Sequence, residues 1–192
     1  KLPIDVGCIV CNCTTMAFIT KYIKTGMPLV EKTITVDGAC VKDPKNVIVP
    51  IGTALKDVFD FCGGFKEEPQ KILYGGPMMG ISVPNAEVPV LKQTNAILAL
   101  NKKEVYAPKQ TACIRCGTCL NTCPLGINPE AIARAYDLRD MPKLKKAGIE
   151  VCMECGCCAY NCPASRPLVQ INKMAKIAYR EYKLEQEKEA NK

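Results

Sequence analysis

The 192-residue sequence contains no histidine and no tryptophan, and it has only four phenylalanines. The absence of histidine excludes the commonest general base and every histidine-ligated metal site. So few aromatic side chains argue against a surface on which nucleic-acid bases stack. The sequence also lacks an apolar run near the roughly 18 residues that a membrane-spanning helix needs. Membrane association would therefore have to go through a partner or a missing segment.

Cysteine is abundant by contrast, and nine of the 14 cysteines lie in two similar segments. The first segment, ACIRCGTCLNTCP at 112–124, has the spacing C-x2-C-x2-C-x3-C-P. The second, VCMECGCCAYNCP at 151–163, repeats that spacing with one additional cysteine. Cys157 aligns with Thr118 and is the additional residue. The chain therefore contains an internal repeat of one metal-binding loop.

This spacing is that of the bacterial [4Fe–4S] run, in which three closely spaced thiolates hold one cluster. In two-cluster ferredoxins the fourth cysteine of each run binds the other cluster. We therefore predict that each cluster takes three ligands from one segment and one from the other. The predicted ligands are Cys113, Cys116, Cys119 and Cys162 for the first cluster, and Cys152, Cys155, Cys158 and Cys123 for the second.

The main alternatives are a zinc site and a disulfide framework. Zinc usually takes two separated C-x2-C pairs, and the duplicated triplets with a fourth cysteine and a proline do not have that pattern. Disulfide frameworks belong to small secreted domains, and the sequence shows no secretory leader, so we expect a reducing compartment. The start, KLPIDVG, has no Met and resembles a cut made inside a longer protein.

The formal net charge of +7 superficially suggests a nucleic-acid-binding protein. From Cys113 onward, 13 basic residues accompany 9 acidic ones, a net of +4. An oxidised cluster with four thiolates carries about −2, so two clusters bring this half near neutrality and the chain to about +3. We therefore interpret the basic excess as balance for the metal centres and predict no nucleic-acid partner.

The N-terminal part alternates short strand and helix patterns. Residues 4–11 are predicted to form a buried strand, followed by a helix that Thr14 or Thr15 caps and that ends before Gly26. Burial at this strand–helix junction would explain the small side chains of the three cysteines. These are Cys8, Cys11 and Cys13, and Cys40 and Cys62 receive the same interpretation.

Residues 28–100 have the pattern of a small β-grasp-like module. TITV at 33–36 alternates like a half-buried strand, and Asp37-Gly38 is a strong hairpin signal before a return strand through Val41. Further strands are predicted at 46–52, at 71–74 and within 89–100. Between the first two of these, Thr53 is predicted to cap a helix that ends at Gly63-Gly64. That helix should bury one face, formed by Leu55, Val58, Phe59 and Cys62.

The remainder is predicted to be helical around the two cysteine segments. Asn128 with Pro129 predicts a helix start, and the stretch 124–151 between the cysteine segments has room for two short helices. After Pro163 a helical stripe is predicted to face the cluster core, formed by Leu168, Ile171, Ala175, Ala178 and Tyr182. The glycine-rich GGPMMG at 75–80 lacks the spacing of a dinucleotide loop and is interpreted as a tight turn.

The order of these segments resembles the C subunit of the Rnf-type ion-translocating ferredoxin:NAD oxidoreductase. The matching segments are DVGCIVCNCTT, GMPLVEKTITVDGACVKDPKNVIVPIGT, ILYGGPMMGI, CIRCGTCLNTCP and CMECGCCAYNCPASRPLVQ. The cysteine motifs alone occur in many redox proteins, but their combination with TITVDG…VPIGT and GGPMMG is much more specific.

The resemblance implies an α+β fold in five parts. These are the end of an upstream nucleotide/flavin-binding α/β domain (1–27), an SLBB β-grasp-like module (28–100), a linker (101–111), an α-helical two-[4Fe–4S] ferredoxin domain (112–184) and a disordered tail (185–192). FMN and NAD(H) are expected only in the upstream domain. The resemblance also implies peripheral attachment to the cytoplasmic side of the membrane through partner subunits, with soluble ferredoxin as a further candidate partner.

The expected function is that of an electron-transfer subunit, with a flavin-dependent cobalamin reductase of the same architecture as the alternative. A third possibility is that the β-grasp module binds a small ligand such as a quinone or cobalamin. Arg115 and Glu154 occupy matching positions in the repeat with opposite charge, which predicts unequal cluster potentials unless both are merely solvated. Lys143, Lys145 and Lys146 form either a basic patch for an acidic partner or a solvated helix face.

Overall fold

The computed structural model describes residues 3–105 and 108–190 of the chain. These residues divide into two units, the first containing 3–75 and 81–105 and the second containing 76–80 and 108–190. A β-sheet is the centre of the first unit, whereas helices are the regular elements described in the second. The α+β class predicted from the sequence is confirmed. The predicted linker at 101–111 includes two residues, 106 and 107, that lie outside the described part.

A five-stranded sheet with the order β2-β1-β5-β3-β4 forms the first unit. β1 and β5 are parallel, and the other three pairings are antiparallel. Placing the first and last strands side by side gives the β-grasp-like arrangement expected from the sequence. The strands are β1 (Glu31–Asp37), β2 (Lys45–Pro50), β3 (Lys71–Tyr74), β4 (Ile81–Val83) and β5 (Ala96–Leu100).

Alternation along β1 and β2 places every second side chain in the core, as a sheet with one covered face requires. Helix α2, Leu55–Phe61, covers that face with the side chains of Leu55, Val58 and Phe59. Cys40 and Cys62 are completely buried in the same core. Their interpretation as small apolar residues of the core is therefore confirmed.

Gly38 does not form the predicted two-residue hairpin. Its lack of a side chain instead allows the backbone to pass close to strand β5. It has φ of 113°, and an added Cβ would lie 2.2 Å from the carbonyl oxygen of Ala99. β1 does pair with β2, but residues 38–44 separate them, and Val41 forms only an isolated bridge to Phe65. The return strand predicted through Val41 is therefore wrong. The partner of β1 is β2, which corresponds to the strand predicted at 46–52.

The segment before β1 differs most from its prediction. Residues 4–11 do not form a strand: a 3-10 turn, Pro3–Val6, is followed by irregular chain. Cys8, Cys11 and Cys13 are exposed, so the predicted burial of these three residues is wrong. A strand requires a neighbour that satisfies its backbone hydrogen bonds, and no strand in the described residues pairs with this segment. The helix that follows, α1 (Cys13–Thr25), also has no buried residue in the described structure.

Two predicted helix caps are wrong, although the helices themselves are present. Asn12, and not Thr14 or Thr15, caps α1 by accepting a hydrogen bond from the Thr14 N–H. Ala54 occupies the N-cap position of α2 without a side-chain bond, while the Thr53 hydroxyl donates to the carbonyl of Pro50. Candidate capping residues lie so close together in sequence that local pattern alone does not choose between them.

Five helices form the second unit. They are α3 (Thr118–Asn121), α4 (Pro129–Asp137), α5 (Met141–Lys146), α6 (Cys157–Tyr160) and α7 (Leu168–Ala190). One apolar core of this unit contains Ile132 of α4, Leu144 of α5 and Ala175 of α7, together with Ile149 of a 3-10 turn, Ile149–Val151. The predicted cap at Asn128 is confirmed, since its side chain accepts from the Ala131 N–H and Pro129 follows as the first helical residue.

Helix α7 is longer than expected. It continues to Ala190, so residues 185–190 are helical and the predicted disordered tail is wrong for them; 191 and 192 lie outside the described part. Residues 185–189 are exposed. Among the described helices none combines the length and the apolar composition that crossing a membrane requires.

Candidate metal centres

The two cysteine segments fold as repeats of one another, with a constant offset that relates Cys113 to Cys152. The same offset relates the start of α3 at Thr118 to that of α6 at Cys157, and the start of α4 at Pro129 to that of α7 at Leu168. The backbone bonds of the turns also repeat, because the N–H groups of residues 126 and 165 donate to the carbonyls of residues 123 and 162. The duplication seen in sequence is therefore a duplication of backbone structure.

Matching positions of each loop adopt left-handed backbone conformations. Arg115 and Glu154 have φ of 54° and 58°, and Gly117 and Gly156 have φ of 75° and 87°. A non-glycine residue with positive φ is uncommon, so its occurrence at the same place twice indicates a loop shape that the site requires. Successive N–H groups in such a turn can line a concavity suited to negative charge. In the first loop the Arg115 N–H donates to the Cys113 sulfur at 3.4 Å.

One cavity is lined by all four cysteines that the sequence assigns to the first cluster. Its volume is about 270 Å³. Three of the thiols come from the first segment and Cys162 comes from the second. The four residues are Cys113, Cys116, Cys119 and Cys162. The fold thus brings together residues that are distant in sequence, in the crossed combination that the sequence predicts.

The other four predicted ligands line a second and much smaller cavity of about 20 Å³. Cys123 comes from the first segment, and Cys152, Cys155 and Cys158 come from the second. Cys157 lies among them, and its hydrogen bond with Cys155 raises the pKa of the Cys157 thiol. The chain therefore places five thiols here, and the choice of Cys157 as the spare one rests on the repeat alignment.

The donor set consists of thiols, which are soft ligands that suit iron–sulfur clusters and zinc. In the described residues no group of three or more His, Cys, Asp or Glu side chains is arranged to hold a single metal ion. The first four thiols instead surround a cavity that is larger than one ion. The first cavity therefore has room for a polynuclear group.

The thiols differ in how readily they lose a proton. Burial raises the pKa of Cys158 to about 11 and also raises the pKa of Cys119. The Thr118 hydroxyl, 3.3 Å from the Cys116 sulfur, lowers the pKa of Cys116. Metal ligands must be thiolates, so binding a metal at Cys158 requires the release of a firmly held proton.

The electrostatic surroundings of the two cavities are unequal. Arg115, Arg134 and Arg166 line the first cavity together with Glu130. Among the described residues, Glu154 is the only charged residue that lines the second cavity. Its carboxylate lies 3.3 Å from the Lys176 amine. Negative charge is therefore better stabilised at the first cavity by side-chain charges.

Backbone packing also separates the two loops. An added Cβ at Gly156 would lie 2.8 Å from the Met78 carbonyl oxygen, in the 76–80 segment of the second unit. At Gly117 no atom of the described residues lies within 4 Å of such a Cβ. GGPMMG therefore does more than turn the chain, because it packs beside the second cysteine loop.

Sequence reasoning missed one residue of the second cavity. Asn172 is 1% exposed and its Nδ2 lies 3.6 Å from the Cys152 sulfur. The available signal was a polar residue beside the predicted apolar stripe of α7, adjacent to Ile171. Lys143, Lys145 and Lys146 line neither cysteine cavity.

Comparison with known domains identifies both parts of the chain. Residues 33–82 match the SLBB domain model, and residues 106–163 match the 4Fe–4S dicluster domain model. The second match supports iron–sulfur clusters as the cofactor of the cysteine segments.

Curated proteins with long similar segments have closely related names. The chain is 47% identical over 132 residues to the C subunit of the proton-translocating ferredoxin:NAD⁺ oxidoreductase complex of Clostridium ljungdahlii, covering 69% of this chain and 29% of the relative. It is 40% identical over 175 residues to the C subunit of the ion-translocating oxidoreductase complex of Rhodobacter capsulatus, covering 91% and 34%. The corresponding protein of the Na⁺-translocating ferredoxin:NAD⁺ oxidoreductase complex of Acetobacterium woodii is 40% identical over 140 residues, covering 73% and 31%. The chain thus spans about a third of the length of these relatives.

Proposed function

Because the chain belongs to the C-subunit family of ion-translocating oxidoreductase complexes, we propose that it carries electrons singly through two [4Fe–4S] clusters. The route would join a NAD(H)/flavin site to the membrane part of the complex. FMN and NAD(H) would bind a part of the full-length protein outside residues 1–192. Association with the membrane would be peripheral, on the cytoplasmic side, through other subunits.

The observation that carries this proposal is the crossed set of thiols in the second unit. Cys113, Cys116 and Cys119 share a cavity with Cys162, while Cys123 lies with the second triplet. Exchange of the fourth ligand ties each loop to the other, so two groups bound there would be close neighbours. Short separation is what single-electron hopping between them requires.

Each cluster, when bound, supplies one-electron transfer without a proton-transfer step. The eight thiolates would fix the positions of the irons. In the first loop, the Arg115 N–H in the left-handed turn also donates to the Cys113 sulfur. Leu125, Ile127 and Val169 contribute apolar side chains to the walls of the second cavity. The SLBB module is proposed to act mainly as a structural adaptor between this unit and the rest of the complex.

The proposal is tested by anaerobic purification followed by iron and sulfide analysis and EPR of the reduced protein. About eight irons and eight sulfides per chain, with broad absorption near 400 nm, are expected for two clusters. A folded protein that contains zinc, or no metal after anaerobic reconstitution, would contradict it. Interaction between the two reduced signals would support the short separation that crossed ligation implies.

A further inference from the structure

We propose that Asn172 positions the Cys152 thiolate and raises the reduction potential of the second cluster. This inference rests on the proposed function, since it requires a cluster held by Cys152. It attributes part of the difference in reduction potential between the two clusters to one buried amide, the side chain of Asn172.

The contact is enclosed by protein. Asn172 is 1% exposed and Cys152 is 7% exposed, and both line the second cavity. The Asn172 Nδ2 donates toward the Cys152 sulfur at 3.6 Å, a distance usual for a bond to sulfur. One turn further along α7, the Lys176 amine donates to the Cys152 carbonyl at 2.7 Å. Helix α7 therefore holds both the side chain and the main chain of this residue.

The carbonyl oxygen of the Asn172 side chain, Oδ1, supports a role for the Nδ2 donor. The Asn172 Oδ1 is buried and has no hydrogen-bond partner among the described residues. An unpaired buried carbonyl destabilises a fold, so an apolar residue of similar shape would pack here at lower cost. The Nδ2 donation to Cys152 is the contact that such a residue could not provide.

The repeat shows that the fold does not require an amide at this position. The offset between the two halves aligns Asn172 with Ala133, the fifth residue of α4 as Asn172 is the fifth of α7. Ala133 is also fully buried, so both halves pack a residue here, but only the second half offers a side-chain donor. The donor is thus a feature of one centre and not of the duplicated backbone.

The physical effect follows from charge. One electron from a reductant such as dithionite takes a cluster with four thiolates from about −2 to about −3. A hydrogen bond to a ligand sulfur stabilises the more negative state and so raises the potential. The bond joins two buried side chains, where the low local dielectric strengthens it.

The test is an EPR-monitored redox titration of Asn172→Leu, which keeps the approximate size of the side chain and removes the donor. Asn172→Ala, which copies the first half of the repeat, is measured in parallel in case the leucine disturbs packing. Gln170→Ala is the matched control, because it removes an exposed amide from the same helix. Signals are assigned with a Cys113→Ser variant, in which the first cluster is expected to be lost.

We expect the midpoint of the second cluster to fall in both Asn172 variants, with the first midpoint and the iron content unchanged. Gln170→Ala should move neither midpoint. Two intact clusters with unchanged midpoints, or equal movement of both, would overturn the role of Asn172 while leaving the proposed function intact. Absence of iron–sulfur clusters from the unsubstituted protein would instead overturn the proposed function itself.

Discussion

At the scale of the residue, the second unit contains two sites whose loops have the same backbone conformation but different side chains. The left-handed turns at Arg115 and Glu154 repeat closely, but the side chains at those positions have opposite charge. Thr118, which hydrogen-bonds to the Cys116 sulfur, is matched by Cys157, which hydrogen-bonds to Cys155. These differences between the centres come from side chains that surround a shared loop shape.

The assignment of ligands predicts which substitutions remove a cluster. Cys162→Ser should remove the first cluster although Cys162 lies in the second segment, and iron should fall from about eight to about four per chain. Cys157→Ser should keep both clusters, because the repeat alignment makes it the spare cysteine. Iron analysis and EPR of the two variants check this. If Cys157→Ser loses a cluster and Cys158→Ser does not, the alignment is wrong.

The charge at the rim of the first loop predicts a change in potential. Arg115→Glu should lower the midpoint of the first cluster, because it replaces a positive charge near the added electron with a negative one. Glu154 already adopts φ of 58° at the matching position, so the loop accepts glutamate. Lys145→Glu, on an exposed face that lines neither cysteine cavity, is the control for the same change of charge. An unchanged midpoint in Arg115→Glu would mean that the charge is screened by water.

At the scale of the element, some neighbouring segments approach so closely that the residue between them cannot carry a side chain. Gly38 is the clearest of these in the first unit, because its backbone approaches β5 and the Cys40 N–H donates to the carbonyl of Ala99. This contact fixes the end of β1 against β5 beside their parallel pairing. The β-grasp-like topology thus depends on a glycine that the local pattern assigned to a hairpin.

Gly38→Ala should lower the free energy of unfolding of the first unit by at least about 2 kcal/mol, since it combines a positive φ with a clash against backbone. Gly52→Ala is the matched control, because Gly52 lies in the same unit and also has a positive φ (99°), but an added Cβ there would meet no atom of the described residues within 4 Å. Chemical denaturation followed by circular dichroism measures both. Equal stability of the two variants would contradict the close approach at Gly38.

At the scale of the whole molecule, the chain contains two units with separate sources of stability. The first has a continuous apolar core that includes Ile34, Phe59 and Ile97. The second has smaller apolar clusters, and its short helices α3 and α6 lie within the cysteine segments. Bound metal would therefore contribute more to the folding of the second unit than to that of the first.

Removal of the clusters should consequently unfold part of the second unit and spare the first. We expect hydrogen exchange after anaerobic iron chelation to accelerate in residues 112–128 and 151–167, while β1, β2 and β5 stay protected. Cys40 and Cys62 should remain resistant to alkylation in the same sample, since they are buried in the first core. Loss of protection throughout both units would show that the clusters stabilise the entire chain.

The sequence by itself determined the features that depend on local spacing. The two cysteine runs, the cap at Asn128 with Pro129, and the alternation of β1 need only neighbouring residues, because loop, helix and strand geometry repeat over a few positions. The crossed grouping of Cys123 and Cys162 could also be predicted, because the two runs share one spacing and the fourth cysteine of such a run binds the other cluster in two-cluster ferredoxins.

Tertiary structure alone decided features that depend on distant neighbours. The exposure of Cys8, Cys11 and Cys13, the close approach of Gly38 to Ala99, and the burial of Asn172 against Cys152 all involve parts of the chain that sequence pattern does not pair. A residue's own type cannot indicate whether a strand, a backbone or a thiol will lie opposite it. Burial and hydrogen bonding are properties of that neighbour as much as of the residue.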